Sequence, residues 1–122
     1  MSRILIHDPN DRPDECLSLP SSAKEEVITC KDHEALVGAL ADRRPDVLVY
    51  VIKDLAEDLQ LLTLLRRVAP SLPLILVAGP TDLDSRRKIQ ELKPTYYGVL
   101  PLERFELIDA VRGALQRSTS RR

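Results

Sequence analysis

The stretch Arg44-Pro45-Asp46-Val47-Leu48-Val49-Tyr50-Val51-Ile52 decides the fold of this chain. Residues 47–52 form an apolar run without the regular polar positions of a strand that faces water on one side. Such runs are typical of parallel sheets that are covered by helices on both faces. Residues 74–77 have the same character, and residues 4–6, 27–29 and 96–100 are three further short strands.

Segments with helical periodicity alternate with these strands. Four of them have apolar residues at helical spacing; they are residues 32–42, 54–68, 82–92 and 103–117. Asp32 is suited to cap the first, and Pro70 ends the second. Between Pro13 and Pro20 there is room for a first helix of about two turns at most. The alternation predicts an α/β fold with one doubly wound, five-stranded parallel sheet of the flavodoxin-like type.

Length and composition indicate one small globular domain. The chain has 122 residues, of which 43% are hydrophobic and 30% charged, with a net charge of −1. We predict a domain over residues 1–117 and a polar tail or linker over residues 118–122. No apolar run is long enough to span a bilayer and no signal peptide is visible, which indicates a cytoplasmic protein. Cys16 and Cys30 have no metal-ligand spacing with His7 or His33, and we expect two reduced thiols.

The strand sequences, taken in order, resemble a known family. Arg3-Ile4-Leu5-Ile6-His7-Asp8 is similar to the opening strand of the receiver domain of bacterial two-component response regulators. Residues 44–49, 73–77 and 98–101 are similar to its third strand, its fourth strand and its ending, and the resemblance covers residues 3–116. Receivers are phosphorylated on an aspartate that ends the third strand, beside a Mg²⁺ ion held by acidic residues after the first strand.

The resemblance places the family's phosphorylation site on residues that lack its chemistry. Asp8 and Pro9 stand for the acidic pair, Val51 for the phosphoacceptor, Ala78 for the Ser/Thr and Leu100 for the lysine. Acyl-phosphate formation needs a carboxylate nucleophile beside a metal ion, and Val51 and Pro9 supply neither. We therefore predict no phosphorylation, no metal ion, no cofactor and no enzymatic activity. Asp8 is expected to bond neighbouring amides or to cap the short first helix.

Other interpretations stay open at this point. Asp54 or Asp46 would be the acceptor in a receiver with displaced chemistry. A small-ligand sensor would use the crevice at the strand ends, lined by Asp8, Val51, Ala78, Gly79 and Leu100. His7 is either a structural histidine or a proton sensor.

Two family features remain, and one surface is a candidate for interactions. Tyr97 stands where receivers have a switching aromatic, and Pro101 follows the lost lysine, so that Leu100-Pro101 is a candidate cis peptide. The face through which the family contacts partners carries charged residues of both signs. They are Arg86, Arg87, Lys88, Glu91, Glu103, Glu106 and Asp109.

These observations lead to one functional hypothesis. The chain is expected to be a phosphorylation-independent receiver-like domain that acts by protein–protein interaction or dimerisation. The resemblance implies the N-terminal regulatory domain of a bacterial response regulator or transcriptional activator, or else a stand-alone adaptor. The partner is expected to be a protein or a second copy, with no direct contact to nucleic acid or membrane.

Overall fold

A computed structural model of the chain describes residues 2–9, 25–100 and 103–120. Its five strands form one parallel sheet in the order β2-β1-β3-β4-β5. The strands are β1 (Ser2–His7), β2 (Glu25–Cys30), β3 (Val47–Val51), β4 (Leu74–Ala78) and β5 (Tyr96–Val99). The predicted five-stranded, doubly wound sheet is therefore confirmed. The strand order reverses direction at β1 and β3, which is where open sheets of this kind form a crevice.

One helix follows each of the strands β2 to β5 along the chain, and these helices cover the sheet. In the described ranges they are α1 (His33–Arg43), α2 (Leu55–Val68), α3 (Leu83–Glu91) and α4 (Arg104–Ser120). Asp32, Asp54 and Asp82 precede the first three helices, and each carboxylate accepts a hydrogen bond from the amide of the third residue after it. This is the N-cap arrangement that satisfies one of the free amides at a helix start.

The alternation of side chains along the strands divides the core in two. On one face, Leu48, Tyr50 and Leu76 pack with residues of α1, α2 and α3. On the other face, Val49, Val51 and neighbouring strand residues pack against α4. Every residue of β3 and β4 is buried, which explains why these two strands have no polar alternation in the sequence.

The last helix differs from its predicted bounds at both ends. It begins at Arg104 rather than at residue 103, and the Glu103 carbonyl accepts the amide of Leu107 at 3.4 Å. It continues to Ser120, so that three residues of the predicted polar tail are helical. The predicted short first helix lies outside the described residues. Among the helices that the structure describes, none combines the length and the apolar character needed to cross a membrane.

Candidate functional site

The carboxyl ends of the strands bring four of the predicted site residues to one edge of the sheet. Asp8 follows β1, and its amide donates to the Cys30 carbonyl at 3.0 Å. Val51 and Ala78 end β3 and β4. Leu100 follows β5, and its amide donates to the Ala78 carbonyl at 2.8 Å. Residues far apart in the chain thus meet at the edge where parallel sheets place their functional sites.

Hydrocarbon fills the position of the expected phosphoacceptor. Val51 is 4% exposed and belongs to the core beneath α4. Leu100 is partly buried and packs against the same core, and Ala78 is buried on the opposite face. Neither Val51 nor Leu100 presents a nucleophile or a cation, so these two positions lack the groups that the family resemblance assigns to them.

This edge offers Mg²⁺ fewer carboxylates than the family resemblance implies. That ion is held by oxygen ligands in near-octahedral geometry, usually with one or two carboxylates and several waters. Asp8 brings one buried carboxylate, while Pro9 and Val51 bring no side-chain oxygen. Within the described ranges, no three histidine, cysteine or acidic side chains come together in a way that could hold a metal ion. We therefore assign no metal ligand here, Asp8 included.

The two alternative acceptors lie in different places. Asp46 precedes β3, at the opposite end of that strand from Val51, and its Oδ2 accepts the Arg3 amide at 2.7 Å. Asp54 is exposed and caps α2, with its Oδ1 accepting the Glu57 amide at 3.3 Å. Of the two, Asp54 is the one near the carboxyl end of β3.

Tyr97 has a polar contact that the sequence did not indicate. Its ring is partly buried against the core beneath α1, α2 and α3. Its Oη lies 3.4 Å from Thr81 Oγ1. A hydroxyl is therefore present near the tyrosine, although Ala78 supplies none. Pro101 and the predicted cis peptide lie outside the described residues.

A polar cluster lies beside this edge, on the face covered by α1 and α2. We call it the His–Tyr–Asp cluster; His7, Tyr50 and Asp58 are buried in it, and its fourth member, His33, is partly exposed. Tyr50 Oη donates to Asp58 Oδ1 at 2.6 Å. His33 Nε2 lies 3.0 Å from Tyr50 Oη and 3.2 Å from Asp58 Oδ1. Asp58 Oδ2 accepts two backbone amides just before α2, at 2.8 and 3.0 Å.

His7 occupies a different position in this cluster. Its ring stacks on Tyr50 with centroids 4.4 Å apart and an interplanar angle of 12°, and the His33 ring centroid is 5.4 Å away. The residue is 2% exposed. Neither of its ring nitrogens has a hydrogen-bond partner among the described residues. Such orphaned nitrogens are unusual, because buried polar groups are nearly always bonded.

Burial shifts the pKa of two members of the cluster. It lowers the pKa of His7 below the usual value of 6.5, and the nearby His33 acts in the same direction. Burial is also the main cause that raises the pKa of Tyr50, and the hydrogen bond to Asp58 adds to it. Tyr50 is therefore a neutral phenol that donates a hydrogen bond to Asp58.

Comparison with solved structures identifies the fold. A CheY-like response regulator receiver domain protein from Methanospirillum hungatei superposes with a TM-score of 0.86 and 18% identity, over 100% of this chain and 99% of its own. The signal receiver domain of an HD domain-containing protein from Pseudomonas fluorescens has a TM-score of 0.79 and 27% sequence identity, over 98% of each chain. The N-terminal signal receiver domain of a two-component response regulator from Bacteroides fragilis has a TM-score of 0.79 and 23% identity, over 94% of this chain and 97% of its own. The chain has the receiver fold. No protein-family model matches it, and a comparison with curated proteins found no significant match.

Most of the charged residues predicted for an interaction face lie at the surface. Six of the seven are exposed; they are Arg86, Arg87, Lys88, Glu91, Glu103 and Asp109. Glu106 is partly buried, and its Oε2 accepts a hydrogen bond from the hydroxyl of Tyr96 at 3.2 Å. Glu106 therefore has a partner within the chain.

Three large apolar side chains of α3, β5 and α4, which the sequence analysis missed, are exposed. Leu83 begins α3, Val99 ends β5 and Phe105 lies in the first turn of α4. They are 62%, 38% and 59% exposed. We call these three residues the β5 apolar patch. Phe105 could have been noticed in the sequence, because it is the single phenylalanine of a chain with few aromatic residues.

A groove among the described residues lies elsewhere on the chain. It lies between α1 and α2, encloses about 710 Å³, and is lined by Val37, Leu64, Val68 and mainly apolar neighbours. Arg44, Asp46 and Pro73 border it, which places it toward the amino ends of β3 and β4. The crevice that the sequence analysis considered for a small ligand is at the opposite edge.

Proposed function

We propose that this chain is a receiver-fold signalling module that acts through protein–protein contacts and is not phosphorylated. The observation that carries the proposal is the buried Val51 at the end of β3. A valine has no nucleophilic atom, and Leu100 packs its side chain against the same core, where the family resemblance expects a lysine. The receiver scaffold is kept, while the groups that would form and bind an acyl phosphate are replaced by hydrocarbon.

The β5 apolar patch is the proposed contact surface. Exposed clusters of large apolar side chains commonly mark interaction sites, and an aromatic anchor often contributes most of the binding energy. Phe105 is such an anchor, because a large part of its ring is in contact with solvent. Exposed charges lie on the same helices, α3 and α4, and would orient a partner.

The relatives favour a regulatory domain within a larger signalling system. One similar structure is a receiver domain of an HD domain-containing protein, and another is the N-terminal receiver domain of a response regulator. By analogy, this chain would be the N-terminal regulatory domain of a bacterial response regulator or transcriptional activator and would act in the cytoplasm. Function on this fold depends on the site and the surface rather than on the fold itself.

Restoring the aspartate alone is expected to leave the protein unphosphorylated. Val51→Asp supplies a nucleophile, but Leu100 and Pro9 still provide no phosphate or metal ligand. We expect no mass increase with acetyl phosphate and Mg²⁺, and no saturable NMR shift changes with beryllofluoride, for either the natural chain or the variant. Circular dichroism must first show that the variant is folded, since a carboxylate at a buried site is unfavourable.

A second variant separates the possible outcomes. If the natural chain is labelled and Asp54→Asn abolishes the labelling, the acceptor is displaced to α2 and the proposal fails. Robust labelling of Val51→Asp alone would show that a working phosphate site exists at this edge after all.

A charge in place of the aromatic residue of the β5 apolar patch is expected to weaken association. Phe105→Asp should raise the dissociation constant of a self-associated receiver by about tenfold or more, because loss of a buried aromatic anchor typically costs over 1 kcal/mol. Analytical ultracentrifugation over a concentration series measures this.

Val68→Asp is the matched control, since Val68 is an exposed apolar residue of the α1–α2 groove. An effect of Val68→Asp without an effect of Phe105→Asp would move the interface to that groove. A natural chain that is monomeric at every concentration would contradict self-association and leave a different protein as the partner.

A further inference from the structure

The His–Tyr–Asp cluster supports an inference that is independent of the proposed function. We propose that His7 makes the folded state sensitive to protons. The fold accepts only the neutral ring at this position, and uptake of one proton opens the cluster at the carboxyl ends of β1 and β3. His7 immediately precedes Asp8. It therefore lies beside the edge of the sheet where receivers are phosphorylated.

The sheet itself fixes the position of His7. His7 and Tyr50 are direct neighbours across β1 and β3, and their rings stack at 4.4 Å. An imidazolium ion has two N–H donors that need acceptors. Among the described residues, neither nitrogen of His7 has one. A second proton on this ring would therefore be buried without a partner, and burial of an unpaired charge is strongly unfavourable.

The charges around His7 do not compensate for its burial. Ionisable groups face it from each element packed around it; they are Asp8 after β1, Cys30 in β2, Asp32 before α1, His33 in α1, Tyr50 in β3 and Asp58 in α2. The three carboxylates raise the pKa of His7, but burial and His33 lower it, and the net direction is down. Asp58 is already engaged by Tyr50 Oη and two backbone amides. Burial raises the pKa of Cys30 to about 11, so its thiol stays neutral.

The direction of the pH effect follows from these contacts. In the unfolded chain His7 has an ordinary pKa of about 6.5, and in the folded chain burial lowers that pKa. The unfolded state therefore binds more protons in the interval between the two values. The contribution of His7 is complete above about pH 6.5 and is lost as the pH falls toward the folded pKa. Within that interval, the equilibrium constant for unfolding rises by about tenfold for each unit by which the pH falls.

The test is urea unfolding of the full chain between about pH 7.5 and about pH 5, where histidine titrates. The chain contains two histidines, so two variants separate their contributions. His7→Phe keeps a flat ring on Tyr50 and removes the titrating group. His33→Gln keeps a hydrogen-bond donor for Asp58. We expect the pH dependence to vanish in His7→Phe and to persist in His33→Gln.

Three results would overturn the proposal: no pH dependence in the natural chain, an unchanged dependence in His7→Phe, or its loss in His33→Gln. Should His7→Phe fail to fold, NMR titration of the natural chain decides the matter. The ring protons of His7 should then titrate in the folded state with a midpoint below pH 6.5, and a midpoint at or above pH 6.5 would exclude the mechanism.

Discussion

Replacing Asp58 by alanine is expected to lower the free energy of unfolding by about 3 kcal/mol. Asp58 is 5% exposed, and its two oxygens accept hydrogen bonds from Tyr50 Oη and from the amides of Lys53 and Asp54. Alanine removes the acceptor of the Tyr50 hydroxyl and of the amides of Lys53 and Asp54, and with it the side chain that joins α2 to β3. Each unsatisfied buried group costs roughly 1–3 kcal/mol. Equilibrium urea unfolding at neutral pH measures the change.

Asp54→Ala is the matched control for this prediction. Asp54 lies one helical turn before Asp58 but is exposed, and it accepts one N-cap hydrogen bond, from Glu57. Loss of an N-cap typically costs about 1 kcal/mol. Equal losses in the two variants would mean that the His–Tyr–Asp cluster adds no stability beyond ordinary helix capping.

Replacing Arg66 by methionine is expected to destabilise the protein by about 2–3 kcal/mol. The guanidinium group joins the segment after α2 to the segment after α3. It donates to the carbonyls of Leu72 at 2.6 Å, Leu92 at 2.8 Å, Lys93 at 3.0 Å and Pro70 at 3.4 Å. Burial lowers the pKa of Arg66, but an arginine remains charged in proteins. Methionine keeps the aliphatic packing and removes all four hydrogen bonds. Urea unfolding measures the resulting change in the free energy of unfolding.

The neighbouring Arg67 provides the comparison. It is exposed, and Arg67→Met should change the stability by less than about 0.5 kcal/mol. Arg66→Lys should recover only part of the loss, because an ammonium group cannot reach several carbonyls in a planar fork. If Arg66→Met behaves like Arg67→Met, these hydrogen bonds do not stabilise the fold.

Much of the architecture could be predicted from the chain because local pattern and tertiary burial agree. The apolar run after Asp46 became a strand that is buried throughout, and Asp32 caps α1 as expected. The end of α4 was predicted too early. Residues 118–120 have no apolar period and modest helix preference, yet the helix continues through them, since extending a formed helix is easier than starting one.

The candidate site was predictable in part. Asp8, Val51, Ala78 and Leu100 could be placed at one edge because the strands are parallel. The His–Tyr–Asp cluster could not, because it depends on the register of β1 against β3 and on how α2 docks. One signal was available: a tyrosine inside a fully buried strand needs a partner for its hydroxyl. Asp58, on the next helix, is that partner.

The order of the strands has a consequence for how the chain folds during synthesis. In chain order, β2 neighbours β1, β3 lies on the other side of β1, and β4 and β5 follow in turn on that same side. Every strand after the first therefore meets a neighbour that the ribosome has already released. Unpaired strand edges in a partly folded chain can pair with other chains and cause aggregation. In this molecule each new strand covers the edge left by an earlier one soon after it emerges.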